Sequence, residues 1–185
     1  MKRRLIFLSP LPIILAGCAS AQIRSWRIAP VSGPVKVGTG GKVGVRNIGL
    51  PSALSQTGVP EPGGAYAANT FPNDLWAAQL AEMLQIVMVE NLAQRLPNDT
   101  ILADGGAIGE APDQLIEIQI LGFTLNAIGD ISLSAQFATR PSASQNWQFQ
   151  NFQSKATGGQ TAETIVAAMS YLWGEAANSL ADMLS

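Results

Sequence analysis

The clearest pattern in the chain is an alternation of apolar and polar residues in its second half. In LIEIQILGFTLN and ISLSAQFAT nearly every second residue is apolar, and the link Asn126–Asp130 between them contains Gly129. Such alternation is typical of half-buried strands, and a short glycine-containing link predicts a β-hairpin. NWQFQNFQSKA continues with Trp147 and Phe149 on one face but changes phase at Phe152, which predicts a third strand with a bulge.

A helical period follows near the C-terminus, where Thr161 is a good N-cap. One apolar stripe runs along this predicted helix, and polar residues lie opposite it. The stripe consists of Ile165, Val166, Met169, Leu172, Trp173, Ala176, Leu180 and Met183.

Another helical period runs from Asp74 to about Leu96, with Asn73 as the predicted N-cap. Its inner stripe comprises Ala77, Leu80, Ala81, Leu84, Met88 and Leu92. Further apolar residues extend beyond that stripe, namely Leu75, Trp76, Met83, Ile86 and Val87. A helix with this much apolar cover is buried on two sides or meets a partner, and burial is favoured.

The N-terminal half predicts shorter strands. IRSWRIAPV and KVGVRNIGL alternate, and the second of these strands stops at Pro51. Residues 51–73 contain four prolines and are predicted to be mainly loop, with a short strand around 65–69. Together these elements predict an α+β fold, a two-layer domain over residues 23–185 with a mostly antiparallel sheet packed against two amphipathic helices.

The first residues resemble an export signal. Three basic residues precede the apolar run Leu5–Leu15, which is too short to span a bilayer. Leu15-Ala16-Gly17-Cys18 resembles the lipobox of bacterial lipoproteins, in which the signal is cut before a diacylated cysteine. We therefore expect residues 1–17 to be a signal peptide, Cys18 to be the lipid attachment site and residues 18–22 to be a lipidated tether. A plain export signal is the alternative.

Composition excludes several classes of function. Loss of the three basic residues of the signal would leave eight basic against thirteen acidic residues, a formal charge of −5, which disfavours nucleic acid as a partner. The chain has no histidine, so histidine triads, histidine general bases and the usual zinc sites are excluded. The remaining carboxylates occur in a segment predicted to be a solvated loop, namely Asp99, Asp104, Glu110 and Asp113. We therefore predict that the chain is not an enzyme and has no metal or cofactor besides the diacylglycerol and N-acyl chain on Cys18.

The glycine-rich segment VGTGGKVG, Val37 to Gly44, does not match a phosphate-binding motif. A Walker A loop needs a glycine where Lys36 stands and a serine or threonine where Val43 stands. The dinucleotide-binding pattern fails at Val43 as well, so a flexible turn leading into a strand is predicted.

The order of these pieces resembles the ABC-type transport auxiliary lipoprotein family, of the paraquat-inducible protein C type. LPSAL, from Leu50 to Leu54, matches the Leu-Pro-x-x-Leu of that family, and Trp76 with Leu80 matches its Trp-x-x-x-Leu. The chain departs from the family pattern at Ser55-Gln56, where Asp-Arg is usual, and at Leu75, where an arginine is usual.

The resemblance implies an outer-membrane accessory subunit that docks or tethers a mammalian-cell-entry-domain protein and its ABC permease and ATPase during lipid transport. It implies partner-binding roles for Leu50, Pro51, Leu54 and Trp76, although strand-end and core roles are equally compatible with these residues. Ala19 and Ser20 lack the aspartate that retains enterobacterial lipoproteins at the inner membrane, which favours the periplasmic face of the outer membrane. The alternative is a structural or assembly lipoprotein of another envelope complex, such as a secretion or export machine. Both functions are compatible with the formation of homo-oligomers.

Overall fold

The computed structural model of the protein describes residues 21–63 and 68–185. The predicted signal peptide, Cys18 and the first part of the tether lie outside these residues, as does most of the strand predicted around 65–69. In chain order the elements are β1 (Arg24–Trp26), β2 (Lys42–Val45), a 3₁₀ turn (Ser52–Leu54), β3 (Gly58–Pro60), β4 (Thr70–Trp76), α1 (Leu80–Arg95), β5 (Thr100–Ala103), β6 (Gln114–Leu125), β7 (Asp130–Pro141), β8 (Gln148–Thr157) and α2 (Ala162–Leu184).

The strands form two sheets, and both helices pack on one side of the larger sheet. The five-stranded sheet has the order β5-β2-β6-β7-β8, and the three-stranded sheet has the order β1-β4-β3. The long pairings, β6 with β7 and β7 with β8, are antiparallel, whereas each parallel pair is short and includes β1 or β2, strands of three and four residues. The predicted α+β two-layer architecture is confirmed.

The predicted hairpin of β6 and β7 is confirmed, including its turn. Asn126 N donates to Asp130 O at 3.0 Å, and Gly129 adopts a φ of 91°, which a residue with a Cβ rarely adopts. The bulge predicted at Phe152 is wrong, because β8 pairs with β7 in unbroken register. Phe152 faces inward and stacks on Phe137 with ring centroids 5.3 Å apart, whereas Phe149 faces outward and is 78% exposed. The irregularity lies instead in β6, between Ile120 and Gly122.

The C-terminal helix follows its prediction closely. Thr161 caps α2 in a capping box with Thr164. The predicted stripe is buried except for Met183, which is partly buried. Trp173 is fully buried, and its Nε1 donates to Leu84 O in α1 at 3.0 Å, which joins the two helices.

The first helix is shorter than its period predicts. It begins at Leu80, and the preceding residues 70–76 form β4, so Asn73 lies in a strand and the N-cap prediction is wrong. The segment forms a strand because its backbone bonds to distant residues: Trp76 N donates to Thr57 O and Ala77 N donates to Trp26 O, both at 2.8 Å. The favoured burial is confirmed where Met83 and Val87 enter the core, while Ile86 stays 49% exposed.

Two regions predicted to be loop contain short strands. Residues 51–73 include the 3₁₀ turn, β3 and the first part of β4. The acidic segment contains β5, which pairs in parallel with β2 from Lys42↔Thr100 to Val45↔Ala103. Tertiary pairing forms these strands, because three or four residues have no sheet stability of their own.

Candidate functional site

The four residues expected to bind a partner lie in one region of the structure. Leu50 and Pro51 lead into the 3₁₀ turn, where Leu54 N donates to Pro51 O at 2.9 Å. Leu50 and Leu54 are partly buried against the core, and Trp76 at the end of β4 is 8% exposed. Trp76 lines a depression together with Leu54 and another with Leu50, so the three apolar side chains share one surface region.

The first depression, which we call the Phe123 cleft, is lined mainly by apolar side chains. It has a volume of about 160 Å³, and its apolar lining includes Leu54, Trp76, Leu80, Phe123 and Leu125. A cavity of about 150 Å³ is large enough for a benzene ring. The Phe123 cleft is therefore of the size that accepts one aromatic or branched aliphatic side chain.

The second depression, which we call the Gln79 groove, is also lined by Trp76. It has a volume of about 470 Å³ and also contacts Leu50, Ser55 and Ala81. Gln56, Trp76 and Leu80 line both depressions. Apolar floors with a few polar groups are the usual composition of a binding surface for an apolar side chain.

A buried carboxylate connects this region to the first strand. Asp74 is 3% exposed and accepts hydrogen bonds from Arg24 Nη2 at 2.8 Å and from Trp26 Nε1 at 2.6 Å. The hydrogen bond from Arg24 is the main reason that the pKa of Asp74 lies below its ordinary value. The same pair raises the pKa of Arg24. Asp74 thus joins β4, which ends in Trp76, to the strand that follows the predicted tether.

The four carboxylates considered for catalysis are engaged in structural contacts. Asp99 Oδ1 accepts from Gly40 N at 2.6 Å and Gly41 N at 3.1 Å, and Asp113 Oδ2 accepts from Lys42 N at 2.9 Å. These bonds fix the glycine-rich turn before β2, a role that the sequence pattern did not reveal. Glu110 forms an ion pair with Lys42 Nζ at 3.0 Å, which raises the pKa of that lysine.

A larger cavity lies on the uncovered face of the five-stranded sheet, where sequence reasoning placed no site. It has a volume of about 630 Å³, and Phe149 is one of its lining residues. Arg46 pairs there with Glu117 and, at 3.2 Å, with Asp104, and these partners raise the pKa of Arg46. Both carboxylates are thus bound to a guanidinium rather than available for proton transfer.

The described part of the chain contains neither a group of metal ligands nor a membrane-spanning helix. Within residues 21–63 and 68–185, no three histidine, cysteine, aspartate or glutamate residues are grouped so that they could hold a metal ion. No helix in the same ranges is long and apolar enough to cross a membrane.

The fold is shared with solved structures of low sequence identity. A crystal structure of an uncharacterised protein superposes with a TM-score of 0.70 at 16% identity, covering 85% of this chain and 99% of the other. A Xanthomonas campestris protein of the DUF330 family superposes with a TM-score of 0.69 at 11% identity, covering 86% of this chain and 92% of the other. No curated protein matches the chain.

The sequence also matches a family model over nearly all the described residues. The model, described as ABC-type transport auxiliary lipoprotein component, matches residues 27–181. The chain therefore belongs to the ABC-type transport auxiliary lipoprotein family, as its motifs indicated. The matched range contains Leu50, Pro51, Leu54 and Trp76.

Proposed function

We propose that this protein is an outer-membrane lipoprotein that docks or tethers an intermembrane lipid transport system of the mammalian-cell-entry type. The membership in a family of ABC-transport auxiliary lipoproteins is the observation that carries this proposal. In this role the chain acts by binding, and the diacylglycerol and N-acyl chain on Cys18 hold it at the periplasmic face of the membrane. Two or more acyl chains anchor a protein stably, whereas one chain holds it only marginally.

The path from the anchor to the domain limits where the contact surface lies. Four residues separate Cys18 from Ile23, and the five Cα-to-Cα steps between them, at about 3.5 Å each, reach at most about 18 Å. β1 follows at once and pairs with β4, with Trp26 opposite Trp76. The Phe123 cleft and the Gln79 groove therefore belong to the part of the domain that is tied to the anchor.

We further propose that the contact with the transport system is apolar. Leu50, Pro51, Leu54 and Trp76 form its core, and the Phe123 cleft accepts one apolar side chain of the mammalian-cell-entry protein or of its permease complex. Anchors of this kind, fitted into pockets, carry most of the energy of many interfaces. The usual charged residues of the family are replaced here by Ser55, Gln56 and Leu75, which fits an apolar rather than an ionic contact.

The proposal is tested by purifying the partners from cells. The full-length protein, carrying a C-terminal tag, is cross-linked in intact cells and purified in detergent, and its companions are identified by mass spectrometry. Cys18→Ala and Trp76→Leu are prepared in parallel, and circular dichroism verifies that the tryptophan variant is folded. Tyr171→Leu, a change at a 49% exposed aromatic residue of α2, is the matched control.

We expect a mammalian-cell-entry protein or ABC transport subunit among the companions of the wild type and of Tyr171→Leu. Both other variants should capture much less of it, Cys18→Ala because the anchor is lost and Trp76→Leu because the cleft is altered. Recovery of a secretion or export machine instead, or of no companion at all, contradicts the proposed function.

A further inference from the structure

β8 leaves a long edge of the main sheet without a partner. It is ten residues long, pairs with β7 on one side, and pairs with no strand of the described residues on the other. None of its residues is buried. The opposite edge of the same sheet, β5, has only four residues, and the edges of the smaller sheet have three each.

The usual protections of an edge strand are missing from β8. Proteins guard exposed edges with prolines, bulges, several charges or very short strands. The sequence QFQNFQSKAT contains no proline and only one charge, Lys155. Its register with β7 runs unbroken from Asp130↔Thr157 to Thr139↔Gln148, so no bulge turns the edge away. Its free N–H and C=O groups are therefore available to another strand.

We infer that β8 pairs antiparallel with β8 of a second copy of this chain, with Phe152 on the twofold axis. Directly opposite residues in an antiparallel pair lie on the same face of the sheet. When two identical strands pair around a twofold axis, one residue must therefore lie directly opposite its own copy, with the axis midway between them. With Phe152 at the axis, Lys155 lies opposite Phe149 of the second copy, and Asn151 lies opposite Gln153. This register joins the two main sheets into one sheet of ten strands.

The side chains of β8 complement each other in this register. Phe149 is 78% exposed on the outer face of the sheet and, in a single copy, lies beside Ala138 only on the β7 side. In the dimer a lysine from the other copy reaches each Phe149, which gives two cation–π contacts. The amides Asn151 and Gln153 face each other, and the two Phe152 rings meet on the inner face. Pairs of these types stabilise neighbouring strands.

The neighbouring registers complement β8 less well. An axis through Asn151 would place Lys155 opposite Trp147, whose ring already carries Arg140 at 4.8 Å from its centroid. An axis through Gln153 would place Lys155 opposite Asn151 and would leave Phe149 opposite a threonine. Self-complementarity in the Phe152 register is the reason for assigning the edge to a second copy rather than to a strand of another protein.

This inference does not depend on the proposed transport function, and its test is separate. Two full-length copies with different tags are expressed in the same cells and extracted in detergent. One tag is used for capture, and the amount of the other copy is measured. Both copies carry the same substitution in each experiment, and circular dichroism verifies folding.

Replacing Phe149 by lysine or by glutamate tests the register, because both changes remove the same apolar ring but introduce opposite charges. Phe149→Lys places two lysines opposite each other at two places in the dimer, and we expect about tenfold less co-capture. Phe149→Glu removes the same ring but forms two ion pairs with Lys155, so co-capture should match or exceed that of the wild type. Phe149→Lys combined with Lys155→Glu should restore it. The two positions are about 20 Å apart within one strand, so restoration requires contact between copies.

Three outcomes would overturn the inference. One is the absence of co-capture for the wild type, as expected if the edge is free or accepts a strand of another protein. Another is equal loss for Phe149→Lys and Phe149→Glu, because the loss would then follow the ring and not the charge. The third is co-capture that none of the substitutions changes, because the copies would then associate through another surface.

Discussion

The guanidinium of Arg95 is a buried charge that links both helices to the N-terminal loop. Arg95 is fully buried, and its Nε donates to Asn178 Oδ1 at 2.6 Å. Its Nη1 donates to Val31 O at 3.0 Å and Asn91 O at 2.9 Å, and its Nη2 donates to Gly174 O at 3.1 Å. All four acceptors are neutral oxygen atoms. Burial lowers the pKa of Arg95 because it penalises the charged form, and these bonds offset that cost.

Arg95→Ala should therefore destabilise the fold strongly. The substitution removes four hydrogen bonds and leaves their acceptors facing a cavity between α1, α2 and the loop at Val31. Val31 O and Asn178 Oδ1 lose their partner, whereas Asn91 O and Gly174 O keep the hydrogen bonds of their helices. Each buried acceptor left without a partner costs about 1–3 kcal/mol, and water entering the cavity recovers part of this. We expect the free energy of unfolding to fall by about 3–5 kcal/mol. Arg95→Lys should lose about half as much, since an ammonium cannot reproduce the fork of donors.

The measurement is urea unfolding of the purified protein, followed by tryptophan fluorescence. Trp173, one of the four tryptophans, is fully buried between the helices, so its fluorescence changes when unfolding exposes it. Arg27→Ala is the control, because Arg27 is an exposed arginine of the same loop, and its loss should cost no more than about 0.5 kcal/mol. If Arg95→Ala lies within about 0.5 kcal/mol of that control, the reasoning about the buried guanidinium is refuted.

Three further predictions concern single contacts. The pKa of Asp74 in the folded protein is lowered from 3.8, mainly by Arg24. The ionised carboxylate therefore stabilises the fold at pH values above the pKa of Asp74 in the unfolded chain. This stabilisation is lost as the pH falls through the pKa of Asp74 in the folded protein. Thermal unfolding between about pH 5 and pH 2 should therefore show a steeper loss of Tm for the wild type than for Asp74→Asn, and equal slopes would contradict it. Thr161→Ala removes the cap of α2 and should cost about 1 kcal/mol in urea unfolding, with no change counting against the capping contact with Thr164. Gly129→Ala must place a Cβ at a φ of 91° and should cost about 1–3 kcal/mol, whereas a neutral effect would show that the turn relaxes freely.

The elements that sequence reasoning placed correctly are those in which local and tertiary preferences agree. In α2, the cap at Thr161 and the apolar stripe that contains Trp173 both favour the same helix. In the hairpin of β6 and β7, alternation and the turn at Gly129 favour the same register. Such agreement between levels makes a segment predictable from sequence alone.

The errors arose where distant pairing overrides the local pattern. The helical period begins at Asp74, but that carboxylate pairs with Arg24 and the segment becomes β4. β5 forms because β2 pairs with it, and its four residues are too few to show a strand pattern in the sequence. The phase change at Phe152 reflects an aromatic residue, Phe149, placed on the exposed face rather than an extra residue in the strand.

The candidate site was predictable in part. The motif residues Leu50, Pro51, Leu54 and Trp76 could be selected from sequence, and the structure places them in one region. The cleft beside them could not be predicted, because Phe123 and Leu125 come from the end of β6, about fifty residues beyond Trp76 and about seventy beyond Leu54. The burial of Arg95 was also hidden, since its neutral acceptors come from three separate parts of the chain, the loop at Val31, α1 and α2.

The proposed docking surface is tested by site-specific photo-cross-linking in intact cells. A photoreactive amino acid replaces Gln56, which lines both the Phe123 cleft and the Gln79 groove. The same residue replaces Gln145 in the control, in the link between β7 and β8 at the opposite end of the β6–β7 hairpin. We predict that position 56 cross-links to a mammalian-cell-entry protein or ABC transport subunit and that position 145 does not. Cross-links to such a component from position 145 alone, or no such cross-link from either position while the protein is lipidated at the membrane, would contradict docking through the Phe123 cleft and the Gln79 groove.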